Sequence, residues 1–146
     1  MRRPVERLPQ HPVEAHLARV EVQHLLFLYT QALLTQMAQM AVCNRHHTID
    51  QQLARWLLLS ADRLRNHEVA MTLELIANML GLRREGVTNA AMKLQRMGVI
   101  QYNRGHNRVV DRPRLEELTC ECFAVVKRET DRLLPMPVRR NASIRE

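Results

Sequence analysis

The sequence predicts a mainly α fold: a winged helix-turn-helix domain with a small β-hairpin wing, preceded by a long dimerisation helix. Three observations carry this. Residues 72–100, TLELIANMLGLRREGVTNAAMKLQRMGVI, space their apolar and small side chains as two helices meeting at a tight corner. Residues 17–44 contain neither Gly nor Pro and repeat apolar side chains at intervals of three and four. Residues 99–110 hold two short β-prone runs around the turn-forming stretch NRGHN.

Taken in order, residues 1–16 form a disordered leader, with prolines at 4, 9 and 12 and little to bury. Residues 17–45 form the long helix. Along it Leu26, Tyr29, Leu33, Gln36, Met40 and Cys43 make a heptad seam, expected to pair two copies of the chain in a homodimer. The competing reading packs this stripe on the chain's own domain.

The domain itself is expected at 48–134. Thr48-Ile49-Asp50-Gln51 is a capping box that opens a helix whose Ile49, Leu53, Trp56, Leu57, Ser60 and Leu64 share one face. That helix should roof the helix-turn-helix. Residues 66–70 read as a polar connector, and Thr72 caps the next helix. Two helices crossing at a wide angle need a small residue where their backbones approach, here Ala77, and a residue tolerant of positive φ at the corner, here Gly81. Ile76, Leu80, Leu82, Val87 and Ala90 then form the buried wedge.

The second helix leaves its polar residues off that wedge. Arg pairs bidentately with guanine, Asn with adenine, and Glu accepts from a cytosine amino group, each good pair discriminating by about 1–3 kcal/mol. Arg84, Glu85, Thr88 and Asn89 are the candidates for base readout, because residues one turn apart face a groove together. Thr72, Arg83, Lys93 and Arg96 are candidates for phosphate contacts. The plainer alternative is a small helical hairpin with a solvated charged face. After Gly98, 99–102 and 108–110 read as wing strands, so that Arg104, His106 and Arg108 can reach phosphates beside the second helix. Asp111 should cap one final helix carrying Leu115, Leu118, Cys122, Val125, Val126 and Leu133, before a basic tail over 135–146.

Composition agrees. The 146 residues suffice for one domain and an extension, and 22 Lys and Arg against 15 Asp and Glu give a formal charge of +7. Such a balance favours a polyanion, here double-stranded DNA. Aromatic content of 3% argues against single-strand recognition by base stacking. No dense apolar run longer than 25–29 or 56–59 stands out, and the basic N-terminus lacks the apolar stretch of a secretory signal, so a cytoplasmic protein without membrane contact is expected. Cys43, Cys120 and Cys122 are odd in number and lack a C-x-x-C pair, so they are expected to be reduced, outside any disulfide framework or zinc site. Cys43, His46 and His47 cluster near a helix boundary; the favoured reading is solvated histidines beside a half-buried thiol, and the competing one is a metal or redox switch. No metal and no cofactor is expected.

The order long helix, roofing helix, helix-turn-helix and two-strand wing resembles the C-terminal part of the Crp/Fnr transcription regulators. QQLARWLLLSADRL and MTLELIANMLGLRREGVTNAAMKLQRMGVI are close to that family's wording, and the likeness covers roughly 25–134. The resemblance implies that Arg84 and Glu85 match the first two residues of the family's operator-reading R-E…R. Asn89 stands where many members have Arg, which makes adenine a plausible target. Arg83 replaces a common Ser, losing a capping hydroxyl.

Family members also carry an N-terminal β-roll for a cyclic nucleotide or other effector, which takes roughly 60–100 residues. Only the leader precedes the long helix here, so the expectation is a member that lacks the usual sensor. The family's cysteine-ligated iron–sulfur site has no counterpart either. The implied function is sequence-specific regulation of transcription by a dimer on a two-fold symmetric operator, with RNA polymerase blocked or recruited. The alternative is an interaction module that heterodimerises with a full-length regulator through the long helix. An enzyme is not expected, since no Gly-rich phosphate loop or nucleophile motif is present.

Overall fold

The computed structural model describes residues 12–64 and 68–134, with side chains described from His16. The elements run α1 (Pro12–His46), α2 (Ile49–Arg63), β1 (Glu68–Ala70), α3 (Leu73–Leu80), α4 (Arg84–Arg96), β2 (Ile100–Asn103), β3 (His106–Val109), α5 (Arg112–Leu118) and α6 (Glu121–Leu133). The expected tail and the first eleven residues of the expected leader lie outside the described residues. The remainder of that leader is helical from Pro12, because a proline in a first turn forfeits no intrahelical bond.

Thr48 starts α2 as a true capping box. The Gln51 N–H donates to Thr48 Oγ1 at 3.4 Å, and the Thr48 N–H donates to Gln51 Oε1 at 3.1 Å. Leu53, Leu57 and Leu58 of α2 meet Ile76, Ala77 and Leu80 of α3 and Val87, Ala90, Ala91 and Leu94 of α4 in one core. Burial of α2 is wider than a single stripe, since Ala54, Leu58 and Ala61 are also enclosed, whereas the expected face residue Leu64 is exposed at the helix end.

The wing is a three-stranded antiparallel sheet in the order β1-β3-β2. The third strand corrects the reading of 66–70 as a connector throughout. Glu68-Val69-Ala70 is too short to show a period, and it forms because β3 offers a free edge, pairing Glu68 with Arg108 and Ala70 with His106. The hairpin turn is also tighter than expected. Asn103, His106 and Asn107 belong to strands, leaving Arg104 (φ 39°) and Gly105 (φ 89°) as a two-residue turn with both central residues at positive φ. Asn107 is buried and donates through Nδ2 to the Met71 carbonyl at 2.7 Å, tying the wing to the entry of α3.

The expected single final helix is two. Thr119 and Cys120 are extended (ψ 176° and 166°), which breaks the helix and turns Cys120 into the core. There Cys120 and Cys122 meet Cys43, so α1 docks on α6 rather than standing clear of it. This overturns part of the expected dimer seam. Cys43 is wholly buried within the chain, Gln36 Oε1 accepts from Arg63 Nη2 at 2.6 Å, and Met40 is half-buried. Leu26, Tyr29 and Leu33 remain exposed, as do the more open Phe27 (75% exposed), Leu34 (61%) and Met37 (65%).

One more expectation changes. Residues 22–44 hold no Asp, Glu, Lys or Arg, and the helical stretch His16–His46 is long and apolar enough, by length and composition, to cross a bilayer. The run was hidden by its four glutamines and a histidine, which interrupt apolar stretches without adding charge.

Candidate nucleic-acid interface

The corner between α3 and α4 is built as the spacing demands. Gly81 is left-handed (φ 68°, ψ 30°), its N–H donates to the Asn78 carbonyl at 3.2 Å, and the Leu82 N–H donates to the Ala77 carbonyl at 2.9 Å. This double closure ends α3 and fixes the exit direction toward α4. Thr72 opens α3 by accepting the Leu75 N–H at 3.2 Å. Arg83 occupies the corresponding position before α4 and makes no side-chain cap.

Val87, Ala90, Ala91 and Leu94 are the buried side of α4. The opposite side presents Arg84, Glu85, Asn89, Met92, Lys93 and Arg96 to solvent, with Thr88 half-buried. The four residues expected to read bases thus lie together on one accessible face. Arg84 Nη1 sits 3.6 Å from Glu74 Oε2 of α3, with both side chains largely exposed. Such an exposed pair is worth about 0–1 kcal/mol, so it holds the guanidinium only weakly.

Of the residues expected at phosphates, Thr72, Arg83 and Arg96 are exposed at or beside this face. Lys93 is engaged within the fold, its Nζ 2.5 Å from Asp50 Oδ2 in the first turn of α2. In the wing, Arg104 is exposed at the turn. His106 and Arg108 share the sheet's outer face with Glu68, Gln101 and Asn103 around a shallow depression. His106 Nδ1 lies 2.7 Å from Glu68 Oε1, so the wing's basic face contains a carboxylate. Asp50, Glu68 and Glu74 were not singled out in the sequence. Each belongs to an element other than that of its partner, and nothing in linear spacing connects them.

A second cluster lies at the far side of the domain. Cys43 Sγ and Cys120 Sγ are 3.6 Å apart, Cys122 Sγ is 3.6 Å from His47 Nδ1, and His47 Nε2 is 3.2 Å from Glu121 Oε1. Burial pushes the Cys43 thiol up to about 12, opposed by the nearby Arg55 guanidinium, and burial likewise raises Cys122. The Glu121 carboxyl is held below its usual range, first by its own backbone N–H and then by His47. The expectation of solvated histidines beside a half-buried thiol holds for exposed His46 only. The His47 side chain is 12% exposed, and all three thiols are buried.

Residues 51–118 match the Crp-like helix-turn-helix domain. A solved structure from Eubacterium rectale, assigned as a transcriptional regulator of the Crp/Fnr family, is similar to this chain with 30% identity and a TM-score of 0.51. The likeness covers 54% of this chain and 37% of that one. No curated protein matches.

Proposed function

We propose that this chain, whose residues 51–118 are a Crp-like helix-turn-helix domain, is a sequence-specific regulator of transcription that binds double-stranded DNA as a homodimer on a two-fold symmetric operator. The observation that carries the reading is α4. Its apolar side is consumed by the core, and its opposite side presents Arg84, Glu85, Thr88 and Asn89 as one surface behind a left-handed glycine corner.

In this reading the N-terminal half of α4 enters the major groove. Arg84 takes a guanine edge, Asn89 an adenine, Glu85 a cytosine amino group, and Thr88 packs between them. Thr72, Arg83, Arg96, Arg104 and Arg108 hold flanking phosphates, which set register without reading sequence. Lys93 and His106 join them on exchanging Asp50 and Glu68 for phosphate oxygens.

Dimerisation uses the bare surface of α1. Phe27, Leu34 and Met37 fall at steps of seven and three, the spacing of a coiled-coil seam, and are the most exposed large apolar side chains of α1 among the described residues. A dimer formed there sets two α4 helices for half-sites about 34 Å apart. RNA polymerase is then blocked or recruited in the cytoplasm, where the operator is. A second reading is favoured by the same bare helix: pairing with a full-length regulator through α1.

Selection of bound duplexes from random DNA at near-physiological salt tests the proposal. A palindromic consensus is expected. A single half-site would remove the dimer, and no enrichment would leave the pairing module.

A further inference from the structure

We propose that Cys43, His47, Cys120 and Cys122 form a structural binding site for one zinc-type divalent ion, which fastens the end of α1 to the α5–α6 corner. One ligand atom from each residue contributes, and all four lie within 4.8 Å of one another.

Geometry carries the argument. A tetrahedral zinc ion bonds sulfur at about 2.3 Å and imidazole nitrogen at about 2.0–2.1 Å, so neighbouring ligand atoms stand roughly 3.4–3.8 Å apart. The Cys43–Cys120 and Cys122–His47 approaches are both 3.6 Å. Three thiolates and an imidazole complete a tetrahedron, the closed ligand set of structural rather than catalytic zinc.

Secondary structure brings the four together. Cys43 and His47 are one turn apart at the end of α1, and Cys120 and Cys122 flank the start of α6. His47 directs Nδ1 at the thiols and Nε2 at Glu121 Oε1, 3.2 Å away. That is the carboxylate–histidine–metal relay by which outer groups orient a ligand imidazole.

Charge supplies a second, independent observation. Arg55 of α2 is 1% exposed, and its Nε and Nη2 are buried without a hydrogen-bond partner among the described residues. A buried guanidinium near thiols alone is uncompensated. Three thiolates around a divalent ion carry a net charge of −1, which Arg55 neutralises. Binding displaces three S–H protons to solvent and involves no electron transfer. Packing of the cysteines as small apolar groups would account for their burial, but not for the imidazole nitrogen facing them or the two unpartnered nitrogens of Arg55. A Cys43–Cys120 disulfide would leave Cys122 and His47 without a role.

The test is titration of the full chain, purified reduced and metal-free, with Co2+ and then Zn2+. One Co2+ per chain is expected, with the thiolate charge-transfer and tetrahedral ligand-field bands of a site built from three sulfurs and one nitrogen, displaced by one equivalent of Zn2+ with release of about three protons. Because Cys43→Ser can unfold the core, His47→Gln and Cys122→Ser are the working variants, expected to lose the cobalt spectrum while the metal-free circular dichroism is unchanged. Glu121→Gln should weaken binding by about 10–100-fold, as loss of an outer partner does. The proposal is overturned by a reduced wild-type chain that shows no tetrahedral cobalt spectrum, or by unchanged affinity in both His47→Gln and Cys122→Ser. Recovery of a chain 2 Da lighter with a Cys43–Cys120 disulfide, still unable to bind Co2+ after reduction, would replace it with a redox bridge.

Discussion

Helices α4 and α1 put their apolar residues to opposite uses. In α4, Val87, Ala90, Ala91 and Leu94 are all buried and the polar remainder forms one face. In α1, only Ala32 and Cys43 are fully buried among described side chains, while Leu25, Leu26, Phe27, Leu34 and Met37 are bare. A helix with apolar residues on one side has a single way to pack, and its exposed side is then available for recognition. A helix that is apolar nearly all round has several, and the chain's own domain takes one while leaving another for a partner.

The largest expected effect tests whether burial separates the two regions. Leu58→Ala, in the core of α2, should cost about 2–5 kcal/mol in denaturant unfolding at every protein concentration. Phe27→Ala should matter only where chains associate, so its destabilisation should fade on dilution. A loss that persists in dilute solution would place Phe27 against the chain's own core.

Leu34→Lys sharpens the same contrast. Sedimentation is expected to show monomers that keep the wild-type circular dichroism. An unchanged dimer would move the interface to Leu26, Tyr29 and Leu33, the half of the expected seam that is still exposed.

Next in size is Arg84→Ala, which should lose about 1–3 kcal/mol on the matched operator and flatten discrimination at one base pair. Equal losses on matched and scrambled duplexes would remove its readout role. Thr72→Ala should cost about 1 kcal/mol in stability through the lost cap of α3, together with a modest loss of DNA affinity. Lys93→Ala should have the smallest effect. It should weaken all sequences alike and reduce the salt slope by about 1, since the Asp50 pair it gives up is exposed and worth little.

Legibility in the sequence follows this contrast. The helix-turn-helix was readable because Ala77, Gly81 and the wedge residues each meet a local steric need, and local needs leave local spacings. The capping box at Thr48 was readable for the same reason. Strand β1 was not, because Glu68-Val69-Ala70 forms only against the edge of β3, 38 residues away in pairing. The docked side of α1 is not legible, because a heptad run such as Leu26, Tyr29, Leu33, Gln36, Met40 and Cys43 shows that a helix packs without showing whether its own chain or a partner covers it. Half of the cysteine cluster is legible, since Cys43 and His47 stand close together in the chain, but nothing in linear spacing joins Cys120-x-Cys122 to them, and only the break at Thr119 does so.

The junction between α1 and α2 has one more consequence. Only His47 and Thr48 separate the two helices. The 35-residue α1, at 1.5 Å per residue, is a rod of about 50 Å. One degree of rotation at that elbow therefore carries the rod's free end through roughly 0.9 Å. Ten degrees would carry it about 9 Å, nearly three base-pair steps of duplex. The docking of Cys43 on Cys120 and Cys122 beside that elbow therefore fixes, through one angle, the position of a point some tens of ångströms away.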